Sequence, residues 1–167
     1  ESAIRLAASA GITNGYEDGS FKPNRTVTRA EFTVMLMNVL KPSGEGAALT
    51  FKDGASIQAW ARNAIAQAVS MSIITGYEDG TFRPDAEITR AEMAALIAKA
   101  LKLTRPADAA TTFADDADIP AWSKGAAVSL QELGIMEGMG ANLFSPNSQA
   151  TRAQAVTILI RMQDQPK

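Results

Sequence analysis

The chain has 167 residues, 46% of them hydrophobic and 20% charged, which suits one domain of ordinary size or a tight cluster of small units and is too apolar for intrinsic disorder. Its formal net charge of −2 supplies no positive field to gather nucleic acid or anionic lipid, so any anion site must be local. Cysteine and histidine are both missing, which excludes a disulfide framework, a thiolate nucleophile, a Cys/His zinc site, a Ser-His-Asp triad and an imidazole base.

A cysteine-free chain suits a reducing cytosol and equally an exposed bacterial surface, where thiols would be oxidised. The longest apolar runs, such as residues 32–40, are interrupted by Thr33 and Asn38 and fall short of the about 20 residues that a bilayer span needs. No membrane helix is expected. A chain that begins Glu1-Ser2 without Met reads as a processed or excised fragment.

Self-similarity organises the rest. Thr28-Arg29-Ala30-Glu31, Thr89-Arg90-Ala91-Glu92 and Thr151-Arg152-Ala153-Gln154 recur 61 and 62 residues apart. The first unit, expected over 1–48, opens on a helix ending at Gly11 and continues into the turn segment 15–23 with its Asp18-Gly19 pair. Its second helix starts at Thr28 and carries Phe32, Met35, Leu36, Val39 and Leu40 at helical spacing. The second unit, over 49–110, begins with Phe51 and Trp60, and predicts a first helix over 60–71 with Ser72 where a C-cap glycine is usual. Its turn segment, 76–84, contains Asp79-Gly80, a strong turn signal. The Phe two residues beyond the pair should anchor the loop on the core, and Pro84 should keep the chain extended, as Pro23 and Pro146 should in the other units. The second helix carries Met93, Leu96, Ile97, Ala100 and Leu101. The third unit, over 111–167, repeats Phe113, Trp122, a helix over 122–133 ending at Gly134, a looser turn segment at 138–146, and Thr151. The first unit lacks the lead-in Phe and Trp.

Each Thr-Arg-Ala-Glu/Gln segment has the form of a capping box, with Thr as N-cap and Glu or Gln at N3 reaching back to the N-cap amide. One helix-loop-helix unit cannot bury its apolar stripe alone. The expected fold is therefore all-α: three helix-loop-helix repeats packed as a pseudo-threefold trimer around a central helical bundle, with clefts between neighbouring units.

With Thr as N-cap, Arg29, Arg90 and Arg152 fall at N1, where a cation opposes the helix dipole at a cost of about 0.3–1 kcal/mol. Two explanations stay open. Each guanidinium is an anion site that grips a carboxylate in bidentate fashion, or each staples a loop by pairing with an internal carboxylate such as Asp18 or Asp79. Trp60 and Trp122 are core packing residues, or line a cleft and face a sugar ring. Gly15 and Gly76 let backbone amides approach a ligand, or only terminate helices and shape turns. The acidic loop pairs lack the alternating oxygen ligands and distal Glu of a calcium loop, so no metal site is assigned. Adjacent turn carboxylates such as Glu78-Asp79 do not flank a scissile bond, which argues against a glycosidase. Asp115, Asp116 and Asp118 read as a solvated loop with capping capacity.

The string Ile74-Thr75-Gly76-Tyr77-Glu78-Asp79-Gly80-Thr81-Phe82-Arg83-Pro84, followed by Ile88-Thr89-Arg90-Ala91-Glu92, resembles an S-layer homology (SLH) repeat, and Phe51-Lys52-Asp53 with Trp60 resembles the start of one. The resemblance covers nearly the whole chain. It implies a monomeric, intramolecular pseudotrimer that anchors a secreted bacterial surface protein non-covalently to the cell wall, by binding secondary cell-wall polymer that carries pyruvate-ketal N-acetylmannosamine. It implies no enzyme activity, cofactor, nucleic-acid partner or membrane partner. By the same resemblance Arg29, Arg90 and Arg152 bind the ketal carboxylate in inter-repeat grooves, with Gly15, Gly76, Asp18, Asp79, Trp60 and Trp122 completing the sites. The third unit departs from the pattern, with 138–142 replacing the Tyr-Glu-Asp-Gly turn and Gln154 replacing Glu, and the first lacks its Trp. The groove joining units three and one is accordingly the one in which these departures meet. A helical protein-interaction module with structural Arg residues is the alternative function.

Overall fold

The computed structural model describes residues 24–46, 48–103 and 110–164. Within them the chain is helical: α1 Arg29–Leu40, α2 Ala59–Ser70, α3 Arg90–Ala100, α4 Ala121–Glu132 and α5 Arg152–Gln163, with short 3-10 turns at Gly54–Ser56 and Asp116–Asp118. Extended pairing among these residues is confined to isolated bridges. The first helix and turn expected in unit one, with Gly11, Gly15, Asp18 and Pro23, lie outside the described residues. No helix among the described residues is long and apolar enough to cross a membrane.

The second helices start where their side chains dictate. Thr28 Oγ1 accepts from Glu31 N at 3.1 Å, and Glu31 Oε1 accepts from Thr28 N at 3.1 Å. Thr89 with Glu92 and Thr151 with Gln154 form the same reciprocal pair, so all three capping boxes are present. The first helices end in Schellman motifs. Ile73 N donates to Ala68 O and Ile135 N to Leu130 O, both at 2.9 Å, while Ser72 and Gly134 take left-handed φ values of 61° and 72°. Ser72 thus occupies a glycine conformation without being glycine.

Phe82 is fully buried and anchors its loop as expected, and Phe144 does the same in unit three; each packs against the lead-in Phe of its own unit, Phe51 and Phe113, with ring centroids 5.4 and 5.2 Å apart. Each such side chain contributes about 1.5–3 kcal/mol of burial. The prolines behave otherwise than expected. Ala86 N donates to Arg83 O at 3.3 Å and Ser148 N to Ser145 O at 3.1 Å, so Pro84 and Pro146 sit inside tight turns and do not extend the chain; their fixed φ suits the second position of such a turn.

The main helix pairings join neighbouring units: α1 packs on α2, α3 on α4, and α1 also meets α5. At the centre, Val27 N donates to Ala150 O at 3.0 Å, Ala150 N to Ile88 O at 3.0 Å, and Ile88 N to Val27 O at 2.9 Å. These three residues hold equivalent positions in the three units and are 0% exposed. Their amides form a closed ring in which every unit donates once and accepts once. Around it, Arg29 N donates to Ala86 O, Arg90 N to Ser148 O and Arg152 N to Arg25 O, each at 2.9 Å. These bonds pass from unit one to two, two to three and three to one.

Candidate functional site: grooves beside the N1 arginines

Because each capping box fixes the first turn of its helix, the N1 side chain leaves that turn sideways and reaches the next unit. Arg29 Nε donates to Phe82 O at 2.9 Å and Nη1 to Glu92 Oε2 at 2.6 Å. Arg90 Nε donates to Phe144 O at 2.7 Å and Nη2 to Glu137 O at 2.8 Å. Arg152 Nη1 lies 3.6 Å from Glu31 Oε2. The three arginines are only 4–7% exposed. The expected loss to the helix dipole is therefore offset across the unit boundary, by the N3 glutamates at Arg29 and Arg152 and by carbonyl oxygens at Arg90. Asp79 is not the partner: its carboxylate accepts from the amide and hydroxyl of Thr81 and pairs with Arg83 at 3.1 Å. Asp18 lies outside the described residues.

A groove of about 880 Å3 opens beside Arg29. Its floor and walls come from the 73–79 loop, the outer face of α3 and the edge of α4. Two guanidinium groups approach the Tyr77 ring, Arg29 at 4.6 Å and Arg83 at 3.7 Å from its centroid, and the Tyr77 hydroxyl donates to Glu92 Oε2 at 2.5 Å. Burial, reinforced by that carboxylate, pushes the Tyr77 pKa up. Gly76 and Asp79 line the groove. Gly76 has a structural reason to be glycine: φ is +82°, and a Cβ would meet Phe51 Cε1 at 2.5 Å.

A second groove, of about 290 Å3, opens beside Arg90 and is lined by Glu137, Gly138, Met139, Gln154 and Arg161. Here the residue equivalent to Glu92 is Gln154 and the equivalent of Tyr77 is Met139. Among the described residues Arg90 meets two carbonyl oxygens and no carboxylate. Burial lowers its pKa, with Asp115 at longer range acting the other way.

The tryptophans are exposed, 55% at Trp60 and 59% at Trp122, so neither is a core residue. Trp122 lines the Arg29 groove. Trp60 stands in a separate depression of about 500 Å3 between α1 and α2, with Val34, Met37 and Lys41. Each Trp therefore abuts the second helix of the preceding unit, on matching positions.

Several residues that build the grooves were not singled out from sequence. Asp53 accepts from Phe82 N at 2.9 Å and Arg83 N at 2.8 Å, and Asp115 from Phe144 N at 2.8 Å and Ser145 N at 2.9 Å. These clamps fix the loops that present Phe82 O and Phe144 O to the arginines. Asp115 is thus a loop clamp and Asp116 an ion-pair partner of Lys124 at 3.2 Å, in place of the solvated cluster expected. The signal was present in the matching Phe51-Lys52-Asp53 and Phe113-Ala114-Asp115 strings. Among the described residues, no group of three or more His, Cys, Asp or Glu side chains is placed to hold a metal ion.

The model of the S-layer homology domain matches residues 1–33, 50–94 and 112–156. The chain is 40% identical to an amylopullulanase of Thermoanaerobacterium thermosulfurigenes over 93% of its own length and 8% of that protein. It is 34% identical to a surface-layer 125 kDa protein of Lysinibacillus sphaericus over 95% of its length and 14% of that protein. It is 32% identical to a cellulosome-anchoring protein of Acetivibrio thermocellus over 91% of its length and 35% of that protein. The chain thus spans a minor part of each of these relatives.

Proposed function

Because the chain belongs to the S-layer homology domain family, we propose that it anchors a larger bacterial surface protein non-covalently to the cell wall, by binding pyruvylated, N-acetylmannosamine-containing secondary cell-wall polymer in its inter-repeat grooves. The units acting in this way divide at 1–48, 49–110 and 111–167. The names of the surface-layer and cellulosome-anchoring relatives support a role at the cell surface. In this reading the chain is a binding module and catalyses nothing.

The observation that carries the proposal is Arg90. Its guanidinium borders an open groove and meets no internal carboxylate among the described residues, and a pyruvate ketal places a carboxylate on a sugar. A guanidinium pairs with such a group through two parallel donors. Exposed Trp122, on the lining of the Arg29 groove, offers a flat apolar face with an N–H, suited to a sugar ring. Two or more grooves on one repeating polymer add avidity.

The test is calorimetric titration of this chain with a pyruvylated N-acetylmannosamine glycoside and its unketalised counterpart. Selective binding of the ketal, lost in the Arg29→Ala/Arg90→Ala double variant, supports the proposal; equal binding by the folded double variant removes it. The Arg29–Glu92 and Arg152–Glu31 contacts favour the second reading, a helical protein-interaction module with structural arginines. That reading predicts no binding to purified, protein-free wall polymer.

A further inference from the structure

Equivalent positions in the two described grooves differ in a correlated way. Beside Arg29, Glu92 Oε1 accepts from the N-cap amide of Thr89 at 3.1 Å, while Oε2 accepts from Arg29 at 2.6 Å and from Tyr77 at 2.5 Å. Beside Arg90, Gln154 Oε1 accepts from the N-cap amide of Thr151 at 3.0 Å. That bond assigns the amide orientation, so the atom corresponding to Glu92 Oε2 is Nε2, a donor. The residue at the Tyr77 position is Met139, which has no hydroxyl to place on a carboxylate. The acceptor and the phenol that serves it have been replaced together, while the arginine remains.

The consequence is electrostatic. Around the Arg29 groove, basic Arg29, Arg83 and Lys99 face acidic Glu78, Asp79 and Glu92. Among the described residues that line the Arg90 groove, basic Arg90 and Arg161 face acidic Glu137, and Asp115 acts on Arg90 from outside the lining. A carboxylate entering the first must approach Glu92 at close range, and like charges at such a distance repel strongly near a protein surface. A carboxylate entering the second meets a guanidinium and an amide, both donors.

We infer that Gln154 makes the Arg90 groove the carboxylate-selective one of these two grooves, and that Glu92 holds the Arg29 groove to a weaker or less discriminating grip on the same acidic sugar. The inference rests on the cell-wall glycan reading above and deepens it by assigning the determinant of ligand preference. Gln154 is a specificity-determining residue that acts through what it fails to do, namely neutralise its arginine.

The decisive variant is Gln154→Glu. It restores the residue that already caps α1 and α3, so the helix start is preserved. Calorimetric titration with the pyruvylated N-acetylmannosamine glycoside should show affinity reduced roughly tenfold or more in Gln154→Glu. Affinity for the unketalised glycoside should be unchanged. Gln154→Ala, which disturbs the cap without adding charge, should keep the preference for the ketal. The reciprocal Glu92→Gln should strengthen ketal binding at the Arg29 groove. If Gln154→Glu binds the ketal as wild type does, while Arg90→Ala loses it, the inference is wrong and the glycan reading stands. If the Arg29→Ala/Arg90→Ala double variant also binds as wild type, both are wrong.

Discussion

The backbone amide of Val27, in the first unit, donates to the carbonyl of Ala150, in the third, at 3.0 Å, and Ile88 of the second unit completes the ring. A closed ring cannot lose one member without leaving a buried donor and a buried acceptor unpaired, each at about 1–3 kcal/mol. The units should therefore unfold together. Variants retaining only Trp60 or only Trp122 should report coincident urea midpoints by fluorescence; separated midpoints would show the units melting independently. Ile88→Ala, which also opens a cavity at the ring, should lower stability by about 2–5 kcal/mol.

Ser72 holds a φ of 61° at the end of α2, where Gly134 holds 72° at the end of α4. A side chain in this left-handed conformation costs about 1–2 kcal/mol relative to glycine. Ser72→Gly should raise the stability measured in denaturant by about 1 kcal/mol, and Gly134→Ala should lower it by a similar amount. A destabilised Ser72→Gly would mean that the serine side chain contributes something its exposure does not suggest.

Asp53 receives two backbone amides, from Phe82 and Arg83. Asp53→Asn replaces one acceptor by a donor and sets it against an N–H. A loss of about 1–3 kcal/mol is expected, together with weaker ligand binding, because the same loop presents Phe82 O to Arg29. Asp115→Asn should act likewise on the Arg90 groove. Chemical denaturation beside ligand titration separates the two effects.

Arg90→Lys keeps the charge but not the fork that reaches both Phe144 O and Glu137 O. Affinity for the pyruvylated glycoside should fall at least about tenfold in calorimetry. A lysine variant that binds as well as wild type would show that a point charge suffices.

Acid should weaken the loops. Asp79 is held at about 2 by the hydroxyl and amide of Thr81 and by Arg83, and Asp116 at about 2 by the amide and hydroxyl of Thr111 and by Lys124. Both folded values lie below the usual 3.8. Their contribution is therefore complete above about pH 4 and is lost as pH falls toward 2. In thermal melts from pH 5 to 2, the gap between wild type and Asp116→Asn should narrow across that window. A constant gap would mean that the ionised carboxylate contributes nothing.

The repeat, the three capping boxes, the Asp79-Gly80 turn and the Phe82 anchor were legible in the sequence, because each depends on residues a few positions apart whose spacing alone sets their geometry. Thr28 and Glu31 meet whatever the rest of the chain does. The partners of the N1 arginines were not legible. Arg29 reaches Glu92 and Arg90 reaches Phe144 O only because the units close in a particular cyclic order, and nothing local to Arg29 or Arg90 encodes that order. For the same reason the N3 glutamates looked like caps and nothing more. Gln154 looked like a defect in the third repeat, until closure set it in the groove of Arg90, which meets no carboxylate among the described residues. Local hydrogen bonding fixed where the helices begin; long-range packing of three units decided which partner each N1 arginine meets.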